Sequence, residues 1–239
     1  NIQVNSSAGV CGTTVAFTTT TADNCGVASF TNDYPSSFFP VGITNVKWTV
    51  TDNSGNSATA TQTVTVTDTE KPVVHTQDIT VYLDASGNAN IIPSQIDNGS
   101  TDNCSVATVE LDKISFNCSN VGMNTVILTV TDVNGNANSK TATVMVVDNM
   151  KPVVHTQNIT VYLDAFGNAN ITASQIDNGS TDNCSITTRV LIKTSFNCVN
   201  LGTNPVTLTV TVANCNTNSK TANLTCRNNI NSVYFQKIR

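Results

Sequence analysis

Charge is scarce in this chain of 239 residues: 11% of positions are Asp, Glu, Lys or Arg, and 5% are aromatic. The 11 basic residues are scattered and outnumbered by 16 acidic ones, leaving a net charge of −5. Nucleic-acid recognition needs clustered Lys and Arg, so that class of partner is excluded. No apolar run approaches the ~20 residues needed to span a bilayer as a helix. There is no GxSxG, no HExxH, no P-loop and no dinucleotide fingerprint, because the glycines fall singly. The only histidines, His75 and His155, occupy equivalent repeat positions and suit the start of a strand better than a unique catalytic triad. The sequence opens at Asn1 without Met or a signal segment, which reads as a mature or excised piece of a longer precursor.

What is present is repetition. The segment Lys71-Pro72-Val73-Val74-His75-Thr76-Gln77 recurs at Lys151-Pro152-Val153-Val154-His155-Thr156-Gln157. The likeness continues to about residue 230 with roughly two-thirds identity, the mark of a tandem array. The period divides the chain into modules at 1–70, 71–150 and 151–231, with a tail at 232–239 that matches neither repeat; the first module lacks the Lys-Pro lead-in. Arrays of near-copies without catalytic motifs serve as spacers, filaments or adhesive stalks.

Period-2 alternation in the second module predicts strands near Ile79–Leu83, Ala89–Ile96, Ser105–Leu111, Ile114–Cys118, Thr125–Thr131 and Ser139–Val147. Turns fall at 85–88, 112–113 and 132–136, and no helix is needed. Six or seven short strands in about 80 residues predict an all-β fold of tandem immunoglobulin-like β-sandwich modules. In the first module Val46, Trp48 and Val50 precede the turn at 52–56, so Trp48 reads as a core residue and not a ligand platform.

Six of the eight cysteines form equally spaced pairs: Cys11 and Cys25, Cys104 and Cys118, Cys184 and Cys198. The expected 105–118 hairpin would set Cys104 opposite Cys118, and a bridge closing about 15 residues would contribute on the order of 3 kcal/mol. A zinc site competes with this reading, but there is no CxxC and only His75 and His155 could add imidazole. Disulfides imply an oxidising, extracellular compartment. A Cys11–Cys25 bridge requires a bend in the extended run from Gly12. Cys215 and Cys226 are left unpaired or intermolecular.

The residues Cys11-Gly12, Asp23-Asn24-Cys25-Gly26, Phe39-Pro40-Val41-Gly42, Trp48 to Asp52, Ser54-Gly55-Asn56 and Thr67 to Pro72 resemble a hyalin repeat, or HYR domain. The later modules, with Leu83-Asp84, Gly87-Asn88-Ala89, Ile96 to Ser100 and Thr131 to Asn136, look like related repeats of large surface adhesins in Bacteroidetes bacteria. The resemblance implies an immunoglobulin-like fold, an extracellular location, a role in adhesion or filament architecture, and no catalytic residues. The third module departs most: Val212, Cys215 and Asn228 stand where Asp132, Gly135 and Asp148 stood.

Oxygen-rich carboxylates without basic neighbours suit divalent cations. Asp68 and Glu70 in the linker, with Asp97, Asp102 and Asp132, form a candidate calcium site. Asp148, Asp177 and Asp182 are the next set, weakened by Val212. The same Asp residues also suit turn capping through backbone hydrogen bonds, and both readings stand. The leading function is a non-catalytic structural or adhesive repeat array, with other copies, surface proteins or glycans as partners. The alternatives are a calcium-dependent carbohydrate-binding module and a spacer of a secreted enzyme.

Overall fold

The computed structural model describes residues 1–228, so the expected tail at 232–239 lies outside the described residues. The first stretch holds β1 (Ile2–Asn5), β2 (Gly12–Thr14), β3 (Val27–Asn32), β4 (Phe38–Pro40), β5 (Gly42–Asp52) and β6 (Ser57–Thr67). Next come β7 (Ile79–Tyr82), β8 (Asn88–Asn90), α1 (Pro93–Ile96), β9 (Val106–Leu111), β10 (Ser115–Asn117), β11 (Gly122–Asp132) and β12 (Ala137–Val147). The last stretch holds β13 (Ile159–Tyr162), β14 (Asn168–Asn170), α2 (Ala173–Ile176), β15 (Ile186–Leu191), β16 (Ser195–Asn197), β17 (Gly202–Val212) and β18 (Thr217–Arg227).

The plan repeats three times. The four-stranded sheets are ordered β1-β6-β5-β3, β7-β12-β11-β9 and β13-β18-β17-β15, and the two-stranded ones pair β2 with β4, β8 with β10, and β14 with β16. The fold is all-β, a tandem of immunoglobulin-like β-sandwich modules. Alternation dictates the cores. On β17, Val206, Leu208, Val210 and Val212 are buried, and on β18 so are Ala222, Leu224 and Cys226, while the intervening residues are more exposed. Each Val or Leu side chain among them contributes about 1.5–3 kcal/mol when fully buried.

The chain forms two compact units, the first comprising Asn1–Ile79, Ile92–Ile114 and Thr125–Thr143. One of its core clusters gathers Val15, Phe39, Val46, Val64 and Val66. Trp48 packs against this core half-buried, stacked on Phe30 at 4.7 Å, with its Nε1–H donating to Gln62 Oε1 at 3.0 Å. The second unit comprises Thr80–Ile91, Ser115–Asn124 and the described residues from Val144 on. Its core gathers Leu163, Ile171, Ile176, Phe196, Leu208 and Leu224.

Two expectations are corrected. The run Ala89–Ile96 is not one strand: β8 ends at Asn90, and α1 forms a helical turn that buries Ile96. Pro93 presets the first helical torsion, and Gln95 Oε1 accepts the Ile92 N–H at 2.9 Å. α2 repeats the device with Thr172 and Gln175. Nor does 105–118 form a hairpin. β9 pairs with β11 and β10 pairs with β8, so residues 112–114 pass from one sheet to another.

Candidate functional site: buried carboxylates and the cystines

That crossing decides the disulfides. Cys104 precedes β9 and Cys118 follows β10, strands of different sheets, and Cys184 and Cys198 repeat that placement around β15 and β16; the pairings Cys11–Cys25, Cys104–Cys118 and Cys184–Cys198 do not occur. The cystines are Cys11–Cys104 and Cys118–Cys184, closing sequence separations of 93 and 66 residues. Cys25, Cys198 and Cys215 are free and exposed; Cys226 is free and buried on β18. Burial pushes the Cys226 thiol pKa up, and the charge of Cys198 adds to the effect.

In the first unit, Asn103 and Val10 stand one residue before the two halves of the first cystine, and Asn103 Nδ2 donates to the Val10 carbonyl at 3.3 Å. The same amide reaches Asp68 Oδ1 at 3.2 Å. That oxygen also accepts the Ser6 hydroxyl and the Glu70 N–H, both at 3.1 Å, while Asp68 Oδ2 is buried without a donor. Asp132 ends β11, where a register shift against β9 sets it opposite Val106. Its Oδ1 accepts the N–H groups of Asn134 and Asn136 at 2.8 Å, and its Oδ2 accepts Asn136 Nδ2 at 2.8 Å. The turn-capping role expected of Asp is therefore present in the same residue.

Asp68, Asp102 and Asp132 each bring a carboxylate oxygen within 4.8 Å of the others. Both oxygens of Asp102, like Asn103 Oδ1, are buried without a hydrogen-bond partner. Burial raises the Asp102 pKa, and the charges of Asp132, Asp68 and Glu70 push in the same direction. Burial also acts against ionised Asp132, but the hydrogen bonds from Asn136 and Asn134 outweigh it and hold that carboxyl below the usual range. Charged oxygens removed from water without donors are costly unless a cation or a proton joins them. An oxygen-only set of this kind fits a hard divalent ion such as calcium.

Of the five predicted ligands, three converge. Glu70 lies at the margin, its Oε2 accepting the Gly9 N–H at 2.8 Å. Asp97 does not join: it caps α1, and its Oδ1 accepts the Ser100 N–H at 3.0 Å. Asn103 was not singled out from sequence, although the Asp-Asn-Cys triplet at 23–25, 102–104 and 182–184 carried the signal.

The second unit holds a reduced version. Asp148 Oδ1 accepts the Met150 N–H at 3.1 Å and Asn183 Nδ2 at 3.3 Å, leaving Asp148 Oδ2, Asp182 Oδ1 and Asn183 Oδ1 buried without partners. Burial raises the Asp182 pKa, and the Asp148 charge adds to it. Asp177 is elsewhere, paired with Arg189 Nε at 2.8 Å. Val212 supplies no carboxylate; Asn214 Oδ1 caps the turn instead, accepting the Asn216 N–H at 3.3 Å.

These features sit beside a recognisable segment. Residues 1–66 match the HYR domain. The chain is 34% identical to hyalin of Strongylocentrotus purpuratus over 147 residues, covering 59% of this chain. It spans 12% of hyalin's length. Among solved structures it is similar to human CDH23 EC21-23, at 14% identity and TM-score 0.36, covering 79% of this chain and 76% of that one. It is likewise similar to the I-band fragment I67-I69 from titin, at 7% identity and TM-score 0.36, covering 77% and 75%. No helix among the described residues is long and apolar enough to cross a membrane.

Proposed function

We propose that this chain is a stretch of a non-catalytic, extracellular adhesive repeat array, part of a surface stalk or filament, with modules at 1–70, 71–150 and 151–231. The observation that carries the reading is the Cys11–Cys104 cystine, which ties the HYR segment to the following repeat next to three buried carboxylates. A covalent staple limits how far the chain lengthens under load. A calcium ion held by Asp68, Asp102 and Asp132, with Asn103 Oδ1 available, stiffens the same place. The HYR match and the hyalin likeness support the adhesive role, and the two cystines support an oxidising location.

The test combines calcium binding with adhesion. Melting temperature should rise from EDTA to millimolar calcium, and beads coated with the chain should aggregate or bind cell surfaces in calcium but not in EDTA. An unchanged melting temperature removes the calcium part; beads that stay dispersed and bind no surface remove the adhesive part.

A second reading, carbohydrate binding, is favoured by the open groove lined by Trp48, Phe30, Thr59, Thr61 and Gln62, which offers an aromatic face beside hydroxyl and amide groups. A glycan array without a hit in calcium would dispose of it.

A further inference from the structure

The Cys118–Cys184 cystine joins two kinds of half, and the chain carries an unused copy of each. One kind is the cysteine of the Asp-Asn-Cys triplet. Cys25, Cys104 and Cys184 each precede a residue whose carbonyl accepts the second N–H of the long hairpin turn: Asn53 to Gly26 at 3.2 Å, Val133 to Ser105 at 3.1 Å, Ala213 to Ser185 at 3.2 Å. The N–H of Cys25 donates to Asp23 at 2.7 Å, as that of Cys184 does to Asp182 at 3.5 Å. Cys104 and Cys184 are bonded; Cys25 is free and exposed.

The other kind is the cysteine opening the 3-10 turn after the short ribbon. Cys118 and Cys198 follow Asn117 and Asn197, whose side chains accept the N–H of residues 119 and 199 at 3.0 and 3.1 Å. Each Sγ lies 3.8 Å from a glycine carbonyl, Gly87 for Cys118 and Gly167 for Cys198. A Cβ on either glycine would stand 2.7 Å from the sulfur, so both thiols are seated in the same way. Cys118 is bonded to Cys184, whereas Cys198 is free and exposed.

A second feature marks the surroundings of Cys198. Val199 is 87% and Phe166 90% exposed, where the bonded copy has Ser119 and Ser86. Ser119 and Val121 line one cavity with Cys184, Ser185 and Ala213. The same register would set Val199 and Leu201 against Gly26 and Asn53.

We propose that Cys198 of one copy and Cys25 of a second copy form a cystine of the Cys118–Cys184 type, so that oxidation links chains head to tail. The oxidant is a small-molecule disulfide. The Cys198 thiolate attacks it, forming a mixed disulfide and expelling one small thiolate; the Cys25 thiolate then attacks the Cys198 sulfur and expels the second. The two protons lost by the cysteines end on the two released thiols. Cys226 competes poorly, because it is 2% exposed and its thiol is held protonated. This inference rests on the cystine geometry and stands whether or not the chain binds calcium or cells.

The experiment uses the full chain carrying Cys215→Gly, oxidised with glutathione disulfide and resolved by non-reducing electrophoresis and peptide mapping. A ladder of dimers and higher multimers is expected. Cys25→Ser and Cys198→Ser should each stop it at monomer with melting temperature unchanged, and an equimolar mixture of the two variants should give dimer alone. Alkylating the unvaried chain before oxidation should do the same as both substitutions, which covers a variant that folds poorly. A ladder that survives Cys25→Ser, homodimers of either single variant, an intrachain Cys198–Cys226 bond, or monomer only would each overturn the proposal.

Discussion

The sulfur of Cys118 crowds the position where Gly87 would carry its Cβ: an atom added there would lie 2.7 Å from Sγ and 2.7 Å from the carbonyl oxygen of Asn183. The backbone at Gly87 also has φ +75°, a left-handed conformation costly for any residue with a side chain. A glycine in a surface turn thus makes the space in which the Cys118–Cys184 bond is formed.

Gly87→Ala should therefore cost at least about 2 kcal/mol, from the left-handed backbone and from contact with atoms that cannot withdraw. Cys118→Ser should cost about 4 kcal/mol by the chain-entropy argument for a loop of this length. Because the two residues share one space, the double variant should be less destabilised than the sum. Urea unfolding of the four proteins checks this; strict additivity would mean that Gly87 and the cystine act independently.

Asp102→Asn should have opposite effects with and without calcium. In EDTA it removes a buried charge repelled by Asp132, Asp68 and Glu70, so the variant should be more stable than the parent. At calcium one hundred times the dissociation constant the parent gains about 2.7 kcal/mol, and the variant should gain less. Differential scanning calorimetry in both buffers gives the comparison.

The pH dependence in EDTA follows from the two shifts. Asp102 has a raised folded pKa, so its ionisation opposes folding: the loss of stability begins as pH rises through the ordinary carboxylate value and is complete above the folded one. Asp132 has a lowered folded pKa, so its contribution is present above the ordinary value and lost as pH falls through the folded one. The advantage of Asp102→Asn over the parent should accordingly widen as pH rises through the ordinary carboxylate value and level off above the raised folded one. Urea midpoints across that range measure it; an advantage independent of pH would remove charge repulsion as the cause.

Val212→Asp should give the second unit the carboxylate it lacks beside Asp148 and Asp182. Luminescent terbium titration should then count one more bound ion per chain than in the parent. In EDTA the variant should lose roughly 2–3 kcal/mol, since a side chain only 1% exposed is exchanged for a buried charge. An unchanged stoichiometry would show that the missing carboxylate is not what separates the two sites.

Cys215 adopts φ +69°, where the equivalent Gly55 and Gly135 have +89° and +92°. Cys215→Gly should relieve roughly 1 kcal/mol of backbone strain, less the entropy glycine loses on folding, and raise the melting temperature slightly. A fall would show that the thiol contributes more than its backbone costs.

What the sequence by itself determined is local. Alternating Val, Leu and Thr set the buried faces of β11, β12, β17 and β18, the repeat set the three-fold plan, and Asp with Asn set the hairpin turns, because each depends on neighbours a few residues away. Tertiary structure alone decided which cysteines meet and which carboxylates converge. The step from β9 to β10 leaves one sheet for another, so equal spacing of Cys104 and Cys118 said nothing about their partners. Asp97 and Asp102 look equally suited to a cation on paper; the α1 cap holds the first away, and the bulge at Asp132 with the Asn103 amide brings the second into the cluster. Pairing across 66 or 93 residues is a property of sheet assembly, and no window of sequence contains it.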